Sequence, residues 1–222
     1  MTVGYIFDLD ETLVTYDPDV DGIFRNACER VGVEPTADAR EAIGPGYVET
    51  FREFEESPYL GAARAAREAG LSIEPAQFAE QYVEAELAAS HVHEDTRRLL
   101  AELSPVGVLT NGYGPIQRRK LAETGLDAYV DVLVTPDDVE AFKPDDAPFD
   151  AVTAGLDATE YVMVGDSIEY DIRPANERGY RTVLVGGDAE SGDEPVIAPD
   201  DRIDGPSALG TLRERLREFD GE

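Results

Sequence analysis

Three times along this chain a short apolar run stops abruptly at a polar cluster, and that recurrence limits the fold more than any other feature. Tyr5-Ile6-Phe7 runs into Asp8-Leu9-Asp10, Val106 to Leu109 into Thr110-Asn111-Gly112, and Tyr161 to Val164 into Gly165-Asp166-Ser167. A fourth run, Val130 to Val134, precedes a turn-rich stretch carrying Phe142-Lys143-Pro144, and Thr182 to Val185 forms the last clear one. Apolar runs this short, bounded by polar residues, suit buried strands of a parallel sheet. Segments of helical spacing separate them: Leu99 to Leu103 closes one, Ile116 to Thr124 is stopped by Gly125, and Phe149 to Ala154 follows. Ile168 to Arg178 is stopped by Gly179 despite Pro174, and Ser207 to Phe219 reads as a final helix. Strands alternating with helices predict an α/β fold, a doubly wound, Rossmann-like parallel sheet covered on both faces. Polar residues beyond the carboxyl ends of such strands converge on one crevice.

Residues from about 21 to 90 break the pattern, with helical spacing and no convincing strand. Ile23, Ala27 and Val31 make one stripe ending at Gly32, Phe51 and Phe54 mark a second helix, Leu60 to Ala69 a third, and Phe78 to Leu87 a fourth. Pro35, Pro58 and Pro75 stand near helix starts. The expected organisation is a core of residues 1–16 and 91–222 carrying a helical insert, residues 17–90.

Forty-eight acidic residues against nineteen basic ones give a formal net charge of −29. Such a surface repels nucleic acid and anionic membranes, and it strains the compact state by self-repulsion. With 42% hydrophobic residues and periodic segments throughout, the charge predicts adaptation to a salty cytosol rather than disorder. No apolar run reaches membrane-spanning length, no secretory signal opens the chain, and a single cysteine, Cys28, cannot form an internal disulfide. A cytoplasmic protein is expected. Only two lysines occur, Lys120 and Lys143.

The clustered polar groups have complementary chemistry. One carboxylate can attack phosphorus and carry the phosphoryl group, and a second can protonate the leaving alcohol and then deprotonate water. Several carboxylates together repel unless a hard cation sits among them, and oxygen ligands suit Mg²⁺. A hydroxyl, an amide and an ammonium group would hold phosphoryl oxygens as charge develops.

Asp8-x-Asp10-x-Thr12, Leu109-Thr110-Asn111, Lys143-Pro144 and Gly165-Asp166-x4-Asp171 resemble, in order and spacing, the four motifs of the haloacid dehalogenase-like superfamily. The insert is similar to that family's C1-type helical cap. The resemblance implies Asp8 as nucleophile, Asp10 as general acid and base, and Mg²⁺ held by Asp8, the backbone carbonyl of Asp10, and Asp166. It implies that Thr110, Asn111 and Lys143 grip phosphate, with Asp171 orienting the lysine or the metal's surroundings. Glu11 departs from the commonest form, which has glycine there, and an altered turn is expected.

A phosphatase acting on a small phosphorylated metabolite fits every residue. A 2-haloacid dehalogenase of the same superfamily would leave Asp10 idle, because halide departs without a proton. A phosphonate hydrolase would need a lysine in the insert, and residues 15 to 90 contain none. A phosphomutase shares every core residue, and a silent phosphate-binding protein is the alternative from outside catalysis. His91 and His93 lack a third ligand for zinc. Tyr47, Phe51 and Arg52 read as packing ahead of a substrate role. Asp188 to Asp193 reads as a solvated loop. The particular ester and the oligomeric state leave no mark in the sequence.

Overall fold

A computed structural model describes residues 2–186, 198–212 and 216. Its strands, in chain order, are β1 (Val3–Phe7), β2 (Thr15–Tyr16), β3 (Ser90–His91), β4 (Val106–Leu109), β5 (Val132–Val134), β6 (Glu160–Gly165), β7 (Arg181–Val185) and β8 (Asp201–Ile203). The helices are α1 (Val20–Val31), α2 (Ala37–Phe51), α3 (Pro58–Glu68), α4 (Pro75–Ala89), α5 (Glu94–Leu100), α6 (Gly114–Thr124), α7 (Pro136–Val139), α8 (Asp146–Gly155) and α9 (Arg173–Glu177). The chain forms two compact units, Met1–Thr15 with Val92–Glu222, and Tyr16–His91.

In the first unit, consecutive apolar residues in β1 demand cover on both faces, and a six-stranded sheet supplies it. Its order is β5-β4-β1-β6-β7-β8, and every neighbouring pair is parallel. Alternate side chains leave opposite faces. Tyr5 and Phe7, with Val106, Val108, Val162 and Val164, pack toward Leu99 and Leu100 of α5 and Leu121 of α6. Ile6, Leu109, Val134 and Met163 pack the other way, against Phe149 and Val152 of α8 and Ala175 of α9. Each fully buried side chain of this size contributes about 1.5–3 kcal/mol. From β1 the chain winds outward through β4 to β5, then returns to β6 and winds the other way through β7 to β8. The direction therefore reverses between β1 and β6, and Asp8 and Asp166 follow those two strands.

The second unit is helical. Phe24 of α1 meets Phe78 of α4 edge to face at 6.2 Å, and Tyr47 of α2 meets Tyr59 of α3 at 5.3 Å. Tyr59 is buried, and its hydroxyl donates to Glu86 at 2.8 Å. Phe51 is buried and meets Tyr47 and Phe54 edge to face, so both aromatic positions, 47 and 51, pack the unit. Pro58 and Pro75 start α3 and α4, while Pro35 stands just ahead of the Thr36 cap of α2.

Several boundaries differ from the sequence expectation. Helix α2 stops at Phe51, and Phe54 takes a left-handed turn with φ 53°. The strand expected from Val130 starts at Val132, after a 3-10 turn over Asp127–Tyr129. Helix α7 was not anticipated, although Thr135 and Asp138 form a capping box that the Thr-x-x-Asp spacing announces. The helix expected over Ile168 to Arg178 opens with a π turn over Ile168–Ile172 before α9 begins. Strand β8 was missed because its residues, Asp201-Arg202-Ile203, carry the polar pattern of a sheet edge. Pro206–Thr211 is 3-10 helix; residues 213–215 and 217–219 of the helix expected to reach Phe219 lie outside the described residues, as do residues 188–193. Among the described residues, no helix is long and apolar enough to cross a membrane.

Candidate active site

Strand β1 delivers Asp8 while still paired to β6, since the Asp8 N–H donates to the Val164 carbonyl at 2.9 Å. The chain then turns at once. The Leu9 carbonyl accepts from the N–H groups of Leu13 and Val14, both at 2.9 Å, and Leu9, Leu13 and Val14 are all fully buried. Glu11 closes this turn at φ 60°, a left-handed conformation that glycine adopts freely. The turn re-aims Asp10, whose carboxylate meets partners from α6.

Lys143 joins the motifs. Its Nζ lies 2.7 Å from Asp8 Oδ1 and 2.6 Å from Asp171 Oδ1, and the lysine is only 3% exposed. Asn111 holds the lysine's backbone: its Nδ2 donates to the Lys143 carbonyl at 3.0 Å, and its Oδ1 accepts from the Lys143 N–H at 2.7 Å. Asp171 reaches inward from the π turn, and its Oδ2 accepts from the Ser167 N–H at 3.1 Å. A Cβ on Gly165 would stand 2.4 Å from that oxygen, so glycine at the end of β6 is what lets Asp171 approach. The Ser167 hydroxyl caps the π turn, accepting from Tyr170 N–H at 3.1 Å.

Charge in this pocket is unbalanced. Burial pushes the Asp8 carboxyl up to about 8, with Asp171 adding to the rise against the opposing pull of Lys143. Burial also lifts Asp166 to about 6, helped by the charge of Asp171. Burial favours a neutral amine on Lys143, yet Asp171 and Asp8 outweigh it and hold the ammonium above the ordinary lysine range. Ligand oxygens of Asp8, Asp166 and Asp171 lie within 4.8 Å of one another. Three carboxylates sharing one ammonium are short of positive charge, and an all-oxygen donor set suits a hard divalent cation. Among the described residues this is the group of three or more His, Cys, Asp or Glu able to hold a metal, and neither His91 nor His93 belongs to it.

Thr110, at the end of β4, is 3% exposed. Its Oγ1 accepts from the Gly112 N–H at 3.1 Å and from Gln117 Nε2 at 3.3 Å. Two donors occupy the hydroxyl's two acceptor positions, which leaves its own hydrogen to act as a donor. Two residues that sequence reasoning passed over complete the site, Gln117 and Lys120 of α6. Lys120 Nζ lies 2.5 Å from Asp10 Oδ1 and is fully buried, while Gln117 Nε2 lies 2.6 Å from Asp10 Oδ2. The signal for Lys120 was its rarity: in a chain of seventeen arginines and two lysines, both lysines sit on the aspartates of one Asp-x-Asp. Glu11 lies nearby, and burial and then the Asp10 charge raise its carboxyl, with Lys120 opposing.

Topology and site together place the chain among Rossmann-like α/β proteins with acidic side chains gathered where strand order reverses. Within that class it belongs to the haloacid dehalogenase-like hydrolases, whose family model matches residues 3–188. It is similar to a ribulose-1,5-bisphosphate 5-phosphatase from Halopiger xanaduensis, 31% identical over 218 residues, covering 86% of this chain and 87% of the relative. Among solved structures, a HAD phosphatase from Thermococcus onnurineus matches with a TM-score of 0.62 at 25% identity, covering 97% and 98% of the two chains. A 2-haloacid dehalogenase from Pseudomonas syringae matches with a TM-score of 0.68 at 24% identity over 97% and 100%, a likeness of fold.

Proposed function

We propose that the chain is a Mg²⁺-dependent phosphatase that removes phosphate from a small phosphorylated metabolite through an aspartyl phosphate on Asp8. The observation that carries this reading is the buried Lys143 bridge between Asp8 and Asp171, with Asp166 completing an oxygen cluster. Similarity to relatives named as phosphatases supports the same class.

In the first step an Asp8 carboxylate oxygen forms a bond to phosphorus, the bond from phosphorus to the ester oxygen breaks, and Asp10 gives its proton to the departing alkoxide. In the second, Asp10 takes a proton from water, the water oxygen bonds to phosphorus, and the Asp8 oxygen leaves with its electron pair. Lys143 and the Thr110 hydroxyl bind the phosphoryl oxygens. Asn111 acts chiefly by holding Lys143, and Asp171 by orienting its ammonium group. Asp8, Asp166 and the Asp10 backbone carbonyl would hold the magnesium ion, which would supply the missing positive charge at the carboxylates and the phosphoryl oxygens. Residues 17–90 take the part of the C1-type cap, the segment that would recognise the substrate. The acidic surface supports a cytoplasmic enzyme adapted to high salt, with no nucleic-acid or membrane partner.

A dehalogenase gives Asp10 no task, whereas here two buried donors on α6 engage its carboxylate. The test is turnover of 4-nitrophenyl phosphate at molar KCl with Mg²⁺. Hydrolysis that stops in excess chelator and returns with Mg²⁺ is expected. Absence of phosphate release, or full turnover in chelator, would overturn the reading.

A further inference from the structure

The Asp10 carboxylate is gripped on both oxygens from one face of α6. Gln117 and Lys120 are three residues apart, so their side chains emerge on the same face of that helix. Lys120 takes Oδ1 at 2.5 Å and Gln117 takes Oδ2 at 2.6 Å. Both side chains are buried, whereas that of Asp10 is 31% exposed. The grip therefore comes from the protein side and leaves the carboxylate facing outward.

The orientation of Gln117 follows from its neighbours. Turning the amide over would set Oε1 against a carboxylate oxygen, two acceptors face to face. In the orientation present, Nε2 serves both Asp10 Oδ2 and Thr110 Oγ1, while Oε1 is buried without a hydrogen-bond partner. A buried acceptor without a partner costs about 1–3 kcal/mol, and a side chain present only for stability would be spared it. The amide packs close against Gly112, where an added Cβ would stand 1.5 Å from Gln117 Nε2, so glycine there leaves room for it. Lys120 carries its own sign of selection. An ammonium is a compact point charge, and the chain uses arginine nearly everywhere else.

We propose that Lys120 and Gln117 are positioning residues that fix the Asp10 carboxylate in line with the leaving-group oxygen, and that Gln117 ties this placement to the Thr110 hydroxyl. The inference rests on the phosphatase reading and extends it. Each carboxylate oxygen has two lone pairs, so one donor from the clamp does not exhaust either as a proton site. The clamp acts on geometry. Without it Asp10 loses its aim, and misplacement of about 1 Å costs on the order of 100-fold in rate.

The experiment uses the full chain with Mg²⁺ at molar KCl and a series of ring-substituted phenyl phosphates. The rate of the first turnover, read by rapid quench, is plotted against the acidity of the leaving phenol. In Lys120→Met, phenyl phosphate should react on the order of 100-fold slower than in the wild type, while 4-nitrophenyl phosphate, which leaves without help, should lose less than about tenfold. The plot steepens, and KM stays within about twofold because the phosphate grip through Lys143 is intact. Gln117→Met removes only a neutral donor and should steepen the plot in smaller measure, which keeps the test open if Lys120→Met does not fold. A uniform loss across the series, with the wild-type slope, would make the clamp a structural device and overturn the inference while the phosphatase reading stands. If instead the wild type forms no phosphoenzyme with any ester, the underlying reading fails.

Discussion

Glu11 bears a backbone conformation that an L-residue adopts at a cost. Its φ of 60° lies in the left-handed region that glycine adopts freely, and here glutamate accepts the strain. That strain is about 1–2 kcal/mol for a side-chain-bearing residue, against about 0.4–1 kcal/mol of extra unfolded-chain entropy that glycine would bring. Glu11 also adds a carboxylate close to Asp10 in an already acidic site. Glu11→Gly should therefore stabilise the protein slightly, raising Tm by on the order of 2 °C in thermal unfolding at fixed salt. A lower Tm would mean that the glutamate side chain contributes more than its backbone costs. At this scale the sequence was most informative where a residue type is rare. Scarcity of lysine singles out Lys143, and the same reasoning marks Lys120 as a candidate site residue without saying that it meets Asp10. Their pairing was invisible for a physical reason: Asp10 and Lys120 lie 110 positions apart, and no local pattern couples them.

The strands of the parallel core were the most legible elements, because consecutive apolar residues with no polar alternation have one stable environment, a sheet covered on both faces. Val106–Leu109 is such a case, buried at every position. The polar residues just beyond these runs were legible for the same reason, since a buried strand must end where the chain meets solvent or a site. Elements decided by tertiary contact were not. Strand β8 exists because β7 offers it an edge, and its own residues carry little apolar signal. The π turn over Ile168–Ile172 arises where Asp171 must reach Lys143 beside Gly165, a demand set by the end of another strand. Widened turns of this kind occur frequently at functional sites. Helix α6 was legible from its periodicity and its Gly125 stop, but periodicity gives no sign that Gln117 and Lys120 meet a carboxylate.

Across the whole molecule, the charges divide by type and place. Arginines pair on the surface, as Arg40 does with Asp21 and Arg118 with Asp138, each at 2.6 Å, and exposed pairs of this kind contribute about 0–1 kcal/mol. With every arginine counted, the formal net charge is still −29. The screening distance grows from about 3 Å at 1 M salt to about 10 Å at 0.1 M, so many surface carboxylates then repel at once. Tm should fall substantially on transfer from molar KCl to dilute buffer, and an unchanged Tm would contradict this account of the composition. Molar KCl is accordingly the condition for the most direct test of the chemistry assigned to Asp8. Asp10→Asn should still accept the phosphoryl group from 4-nitrophenyl phosphate, because nitrophenolate leaves without a proton, but it lacks the base that activates water. Intact-mass spectrometry after rapid quenching should show a burst of nitrophenol with one phosphoryl group retained per chain, and peptide mapping should place that group on Asp8. A phosphoryl group mapped to another residue, or ordinary turnover by Asp8→Asn, would contradict the mechanism.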